Sequence, residues 1–535
     1  MIRARYLIIA LGLMGLWGCS EPDLPTTTDP AQTSTSPIAT TQHGRVRGTI
    51  NDDILVFKGI RYGADTTTTR FQAPRPPLPW DAVADALEYG NSAPQASGVS
   101  PPLYASWVSD PAPQLSEDCL FLNVWTPALE DGGKRPVMVW LHGGGFSSGS
   151  GSSISYDGTR LAQRGDVVLV TVNHRLNIFG HLYLADHGER FADSGNAGIL
   201  DLVLALEWVR DNIAAFGGDP NNVLIFGESG GGAKVSVLMA MNQAKGLFHR
   251  AVVQSGARLS NMNAATAAEG AAAVVEELGL NEDNVGDITM LTPERIEAAA
   301  NAVVNAGVAD TWSGPVYDGH NFDRQPFEPD APPQSAEVPL LIGTTRTEMS
   351  SLSALIEGPH LFDLTWESLP QKIATLVPDA DAQALIAGYR AGDPSLTAPA
   401  LYFTATTDNG FLRRTLALAD RKANQPGAPV YAYLFNWNTP MDGGRWLSPH
   451  GLDIGFVFDN VAKSASLSGT GQVQQRIADI MSEAWIAFAR DGDPNHAGLP
   501  TWTPYTAERR ATMLIDTDPT MVNDPRGPYV SLLGP

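Results

Sequence analysis

Two hydrophobic rhythms alternate along the chain. In "RPVMVWLHGGGF", Pro136 to Leu141 is an unbroken apolar run that ends in a His-Gly-Gly-Gly turn. "DVVLVTVNHRL" is a second such run and "NVLIFGESGG" a third. Continuous β-branched runs are what strands covered on both faces look like, so they predict a mostly parallel central sheet. Between the second and third runs, apolar residues recur at 199, 202, 203, 206, 209 and 213, which is helical spacing. Gly217-Gly218-Asp219-Pro220 ends that helix. Earlier, "GRVRGTINDDILVFKGIRYG" alternates polar and apolar positions and predicts small N-terminal antiparallel strands. Later, "GLFHRAVVQSGA", "AEVPLLIGTTRTE" and "APVYAYLFNW" predict further strands, and Ala264 to Gly307 is expected to be helical. A helix over Gln472 to Arg490 carries Ile477, Ile480, Met481, Ala484, Trp485 and Phe488 on one face. The alternation of strands and helices implies an α/β fold with right-handed crossovers, and no internal repeat or second linker breaks it.

The first residues follow neither rhythm. In "MIRARYLIIALGLMGLWGCSEPD", Arg3 and Arg5 precede an apolar run of twelve residues, Tyr6 to Trp17. That is short for a bilayer span and resembles a bacterial secretory signal peptide. Leu16-Trp17-Gly18-Cys19 resembles a lipobox, although Trp17 stands where a small residue is usual. This resemblance implies a lipoprotein-type signal peptide over 1–18, lipidation at Cys19, and anchoring at the outer membrane, since Ser20 rather than Asp follows. Periplasmic or secreted forms are the alternatives. Residues 19–37 are rich in Thr, Pro, Ser and Asp and predict a flexible tether. Residues 38–535 are then expected to form a single α/β domain.

Composition narrows the partners. The chain has 535 residues, 43% of them hydrophobic, and a formal net charge of −23. Such an acidic balance argues against nucleic acid or anionic lipid as the main partner. With Cys19 lipidated, Cys119 is left without an intrachain partner, so the core must hold the fold.

Candidate chemistry starts at "FGESGGGAK". Gly227-Glu228-Ser229-Gly230-Gly231 fits G-x-S-x-G between a buried strand, Val223 to Phe226, and a helix expected over Ala233 to Ala240. A strand–turn–helix setting is what a nucleophile elbow needs: the glycines let the chain cross itself and lift the Ser229 hydroxyl above the sheet. Upstream by more than eighty residues, Gly143 to Gly145 in "LHGGGF" offer backbone N–H groups with no side chains in the way, as an oxyanion loop requires.

These stretches resemble the type-B carboxylesterase family, the cholinesterase-like branch of the α/β-hydrolases. The resemblance spans about residues 38 to 530, through "FKGIRYG", "SEDCLFLNVWTP", "VMVWLHGGGFSSGS", "GNAGILDLVLALEWVRDNIAAFGGDPNNVLIFGESGGG", "IGTTRTE" and "SPHGLDIGFVFDN". It implies an α/β-hydrolase fold and a Ser-His-Glu triad of Ser229, Glu348 (five residues after Gly343) and His450. It also implies oxyanion donors at Gly144, Gly145 and Gly230, and an acyl-enzyme route that uses no metal and no cofactor. Asp318 and Asp453 are rival acids, and Glu228 is expected to tune the elbow rather than orient the base. Buried pairs Arg175–Asp201 and Arg70–Glu117 are implied as supports. Cys119 is implied to be a buried free thiol, because Ala93 occupies its usual partner's position.

The implied partner is a small-molecule ester; no oligomeric state follows from the sequence. Amide, carbamate or toxin-ester hydrolysis would use the same triad, and a non-catalytic binding protein on the scaffold is the reading from another class. Trp312 and Trp446 are candidate pocket walls, and Arg258 and Arg445 candidate contacts for an acidic substrate. The family usually has alanine at position 230. The expectation here is that Gly230→Ala keeps or raises stability, glycine leaving the turn less rigid.

Overall fold

A computed structural model describes residues 36–96, 102–104, 114–378 and 381–534. The predicted signal peptide, Cys19 and nearly all of the predicted tether lie outside the described residues. Ser36–Pro535 form one compact unit.

Its centre is an eleven-stranded sheet. In chain order the strands are β1 (Thr49–Asn51), β2 (Ile54–Arg61), β3 (Phe121–Thr126), β4 (Arg135–Leu141), β5 (Val168–Val172) and β6 (Gly218–Glu228). Then come β7 (Arg250–Gln254), β8 (Leu340–Thr345), β9 (Val430–Phe435), β10 (Ala511–Ile515) and β11 (Thr520–Asn523). In space the order is β11-β10-β9-β8-β7-β6-β4-β5-β3-β2-β1. β5 through β10 pair in parallel around β4, while β1–β3 and β11 join antiparallel at the edges.

The unbroken apolar runs split by alternation. Val137, Val139 and Leu141 of β4 join one core cluster, and Met138 and Trp140 join the other. Val223 and Ile225 of β6 likewise oppose Leu224 and Phe226. Period-two side chains with both faces covered explain why no polar residue interrupts Pro136–Leu141 or Val223–Phe226. Helix α1 (Ala197–Asn212) covers the first face with Ile199, Leu202, Leu206 and Val209. After α2 (Gly230–Leu238), α3 (Ala398–Thr407) and α4 (Arg413–Ala423), helix α5 (Gln472–Asp491) covers the second face with Ile477, Met481, Trp485 and Phe488.

Two expectations shift. Ala264 to Gly307 is not one helix but two, Ala264–Glu277 and Pro293–Asn305, each started by a side-chain cap from Asn263 or Thr292. The helix after the elbow begins at Gly230, three residues before Ala233, so the glycine run is its first turn rather than its approach. The supporting pairs form as implied. Arg175 holds Asp201 at 2.6 Å and Arg70 holds Glu117 at 2.6 Å, all four side chains buried.

The chain runs from β4 to β5 on one side, then crosses to β6 on the other. At such a switch point the loops leaving the carboxyl ends of β4 and β6 diverge and open a crevice. Leu141 of β4 pairs with Gly227 of β6, so the His-Gly-Gly-Gly loop and the Ser229 turn leave the sheet side by side.

Candidate active site

Four neighbouring strands each deliver one polar side chain to this crevice. Ser229 follows β6, Ser255 follows β7, Glu348 follows β8 and His450 follows β9.

Ser229 sits at φ 57°, ψ −123°, a backbone conformation that costs a non-glycine residue energy unless its surroundings impose it. The surroundings do. Its N–H donates to the carbonyl of Gln254 at 2.9 Å, and its carbonyl accepts from Ala233 at 3.0 Å. The crossing chain leaves no room beside it. A Cβ on Gly227 would lie 2.6 Å from the Gly231 carbonyl carbon, and one on Gly231 would lie 1.9 Å from the Leu141 oxygen.

Gly144 and Gly145 both adopt positive φ, 83° and 63°, and both are exposed. Among the described residues the N–H groups of Gly144, Gly145 and Gly230 have no hydrogen-bond acceptor. Gly230 belongs to the first turn of α2, whose N–H groups have no partner within the helix. The ring of His142 is buried, with Nδ1 2.8 Å from the Gly143 oxygen, and it stacks on His174. It therefore braces the loop rather than facing Ser229.

Position 230 corrects an expectation. A Cβ there would lie 2.0 Å from the Gly145 oxygen and 2.5 Å from its carbon. Alanine at 230 cannot be neutral in this arrangement, because the oxyanion-type loop is packed against the turn.

Glu348 is fully buried and divides its two oxygens. Oε1 accepts from Ser255 Oγ at 2.5 Å and from the Thr345 N–H at 2.8 Å; Oε2 lies 2.5 Å from His450 Nδ1. The rival acids have other hydrogen-bond partners. Asp453 precedes the short helix Ile454–Val457 and accepts from Tyr433 and Gln254; Asp318 accepts from Asn196 and Asn321.

Glu228 is closer to the base than the sequence suggested. Its Oε1 lies 3.3 Å from His450 Nε2 and has no hydrogen-bond partner. Burial pushes the Glu228 carboxyl up to about 8. Burial alone would lower the His450 imidazole, but the carboxylates of Glu228 and Glu348 outweigh it and raise it to about 9. The two groups face each other and share the consequences of one proton: a proton on Glu228 removes the charge that holds one on His450.

Ser229, Gly145 and Gly230 open into a cavity of about 710 Å³. Phe411 forms part of its wall and tilts over the His450 ring, centroids 5.2 Å apart. Phe411 belongs to a π-helical turn, Asp408–Leu412, between α3 and α4. Trp312 and Trp446 do not line this cavity: Trp312 packs in a core cluster with Phe71 and Phe179, and Trp446 packs edge-on against Phe362. Arg445 is paired with Asp442 on the surface, whereas Arg258 lines the cavity. A second cavity, of about 660 Å³, lies among the N-terminal strands around Trp80 and Phe121 and holds none of the predicted site residues.

Sequence reasoning missed three contributors. Ser255 carried a signal, a serine-glycine pair ending a strand, and it takes positive φ at 51°. Lys234 lay in plain view in the elbow helix; it is fully buried, and its Nζ donates to the His142 carbonyl at 2.9 Å. Phe411 had no sequence signal. Cys119 is buried and free, and burial raises its thiol, which keeps it unreactive.

A parallel sheet with a strained serine turn at its switch point and a buried carboxylate–imidazole pair beside it defines an α/β-hydrolase. Residues 35–531 match the Carboxylesterase family, and the chain belongs to that family. It is 35% identical over 511 residues to the para-nitrobenzyl esterase of Bacillus subtilis, covering 92% of this chain and 97% of that one. It is 34% identical to the phenmedipham hydrolase of Pseudarthrobacter oxydans, covering 90% and 95%. Among solved structures, the Geobacillus stearothermophilus carboxylesterase Est55 superposes with a TM-score of 0.80 at 37% identity, covering 93% and 99%. An esterase from Clostridium hathewayi that can hydrolyse aliphatic aromatic polyesters superposes at 0.82 and 34% identity, covering 94% and 98%. The protein is a carboxylic ester hydrolase, and the non-catalytic reading falls away.

Proposed function

We propose that this carboxylesterase cleaves esters by two-step acyl transfer from Ser229. Neutral His450 takes the Ser229 proton through Nε2 as the hydroxyl attacks the ester carbonyl. Glu348, on Nδ1, fixes the tautomer and stabilises the imidazolium that forms. Gly144, Gly145 and Gly230 donate their N–H groups to the developing oxyanion, each worth roughly 100- to 1000-fold in turnover. His450 then protonates the leaving alcohol, and water, activated by the same ring, releases the acid.

The observation that carries this reading is the meeting of the unengaged N–H groups of Gly145 and Gly230 with a strained serine on one cavity wall. The 2.5 Å Glu348–His450 contact supports it from behind. Ser229→Ala should abolish hydrolysis of p-nitrophenyl esters while leaving the thermal midpoint near wild type. Turnover close to wild type in that variant would end the assignment.

Likeness to the phenmedipham hydrolase favours a second substrate reading for the same triad. Rates on an ester and a carbamate of matched alcohol and bulk separate the two; a higher carbamate kcat/KM would displace simple esters.

At the N-terminus, we infer export and lipidation at Cys19, tethering the enzyme to the outer membrane. The lipobox-like Leu16-Trp17-Gly18-Cys19 supports it. Membrane association that persists in Cys19→Ala would rule it out.

A further inference from the structure

Two groups of titratable side chains lie near the cavity. Glu228, Glu348 and Asp453 gather on the His450 side, all buried. Lys234 and Arg258 both lie near the ring of Phe146, at 5.4 and 5.1 Å from its centroid. Phe146 directly follows the oxyanion-type glycines. Arg414, at the start of α4, lines the same cavity.

None of these three basic side chains has a carboxylate partner among the described residues, and burial lowers the Lys234 ammonium to about 7, so the arginines are the lasting cations. Lys234 is spent on the His142 carbonyl. Arg258 uses Nε on the Asn261 side chain at 2.9 Å, which leaves both terminal nitrogens uncommitted. Arg414 has neither an ion pair nor a hydrogen bond among the described residues. Glu328 is the one acid on the described wall, and it faces a different arginine, Arg421, at 3.8 Å. Burial, and then the charge of Arg414, lower the Arg258 guanidinium to about 10, so it stays charged at neutral pH.

Solubility does not explain this arrangement. In a chain with 58 Asp and Glu against 35 Lys and Arg, carboxylates to pair with a cation are plentiful. A partly buried guanidinium set over an aromatic ring and denied a carboxylate is costly by itself. A ligand that brings its own carboxylate removes that cost and gains a forked, charge-assisted hydrogen bond.

We propose that the cavity above Ser229 selects esters that carry a free carboxylate elsewhere in the molecule, held by the terminal nitrogens of Arg258 with Arg414 at the rim. Half-esters of dicarboxylic acids and esters of hydroxy-acids are the two forms of that class. The placing of the arginines reinforces the choice. They draw the anionic end of such a substrate across Phe146, which orients the ester over the serine. This proposal rests on Ser229 being the nucleophile.

The test uses matched pairs on the full-length enzyme. Monoethyl adipate is compared with ethyl hexanoate, placing the carboxylate on the acyl side. 4-Acetoxybenzoate is compared with 4-methylphenyl acetate, placing it on the alcohol side. In at least one pair the carboxylate ester should have the higher kcat/KM. Arg258→Met should reduce that ratio about ten- to hundredfold, the usual loss for a charge-assisted hydrogen bond, and Arg258→Lys should restore part of it. If Arg258→Met does not fold, Arg414→Met at the rim should still lower the ratio. Neutral esters preferred in both pairs, or a ratio that survives both arginine variants, would overturn the proposal. Ser229→Ala serves as the separate control. Unaffected turnover there would count against the nucleophile, while its loss with no carboxylate preference would count against the arginines alone.

Discussion

At the scale of single residues, the site is governed by where protons and methyl groups can go. His450 must be neutral to accept the Ser229 proton, so kcat/KM rises with pH as the ring loses its proton. The Glu228 carboxylate, 3.3 Å from Nε2, favours the protonated ring. Removing that negative charge makes the ring easier to deprotonate. Glu228→Gln should therefore move the acidic limb of the kcat/KM profile to lower pH, by about one unit or more. A limb that stays in place, measured on an uncharged ester, would mean that Glu228 does not act on the base. Gly230 is the other sharp case. A methyl group at this position would stand only 2.0 Å from the Gly145 oxygen, so Gly230→Ala must push the glycine loop away. The expected loss is on the order of 100-fold in kcat, comparable to losing one oxyanion donor, with a smaller change in KM. Wild-type kcat in that variant would show that the loop yields freely.

At the scale of elements, the sheet and the π-helical turn play different parts. The strands fix the four polar side chains because consecutive neighbours in the sheet, β6 to β9, each end at the same rim. The turn Asp408–Leu412 instead shapes what reaches them, since it bulges the helix and aims Phe411 over His450. π-Turns cost helical regularity and gather at functional sites. This one is pinned by Asp408, which accepts from Tyr389 at 2.7 Å and pairs with Arg526. Gly410 within it has open space where a Cβ would stand and no positive φ. Gly410→Ala should consequently stabilise the protein by about 0.5–1 kcal/mol, read as a higher urea midpoint. A lower midpoint would mean that the bulge depends on glycine's freedom.

At the scale of the whole molecule, residues 36–535 form one compact unit that carries every proposed catalytic group. The lipid anchor would then govern location without touching chemistry. Cys19→Ala should move the enzyme from the membrane fraction to the soluble fraction of the envelope or the medium, with kcat/KM on p-nitrophenyl butyrate unchanged. A fall in activity per folded molecule would couple the N-terminus to the site.

Much of this molecule was legible in its sequence, and for a local reason. Short-range sterics set which residues can turn tightly, and periodicity sets which faces are buried. So "NVLIFGESGGG" announced a strand, a crossing turn and a helix, and "LHGGGF" announced a loop of free N–H groups. Resemblance then nominated Glu348 and His450 from segments that carry no such local signature. What the sequence could not supply were distances between segments far apart in the chain. The packing of Gly145 against Gly230, the approach of Glu228 to His450 and the tilt of Phe411 over that ring each join residues brought together by sheet order and loop path. So does the meeting of Arg258 and Arg414 on the wall of one cavity. Those contacts depend on how the crossovers pack, a property of the assembled core rather than of any short stretch. The class of chemistry is therefore written in the motifs, while the shape and charge of the space above Ser229 are settled only by the tertiary fold.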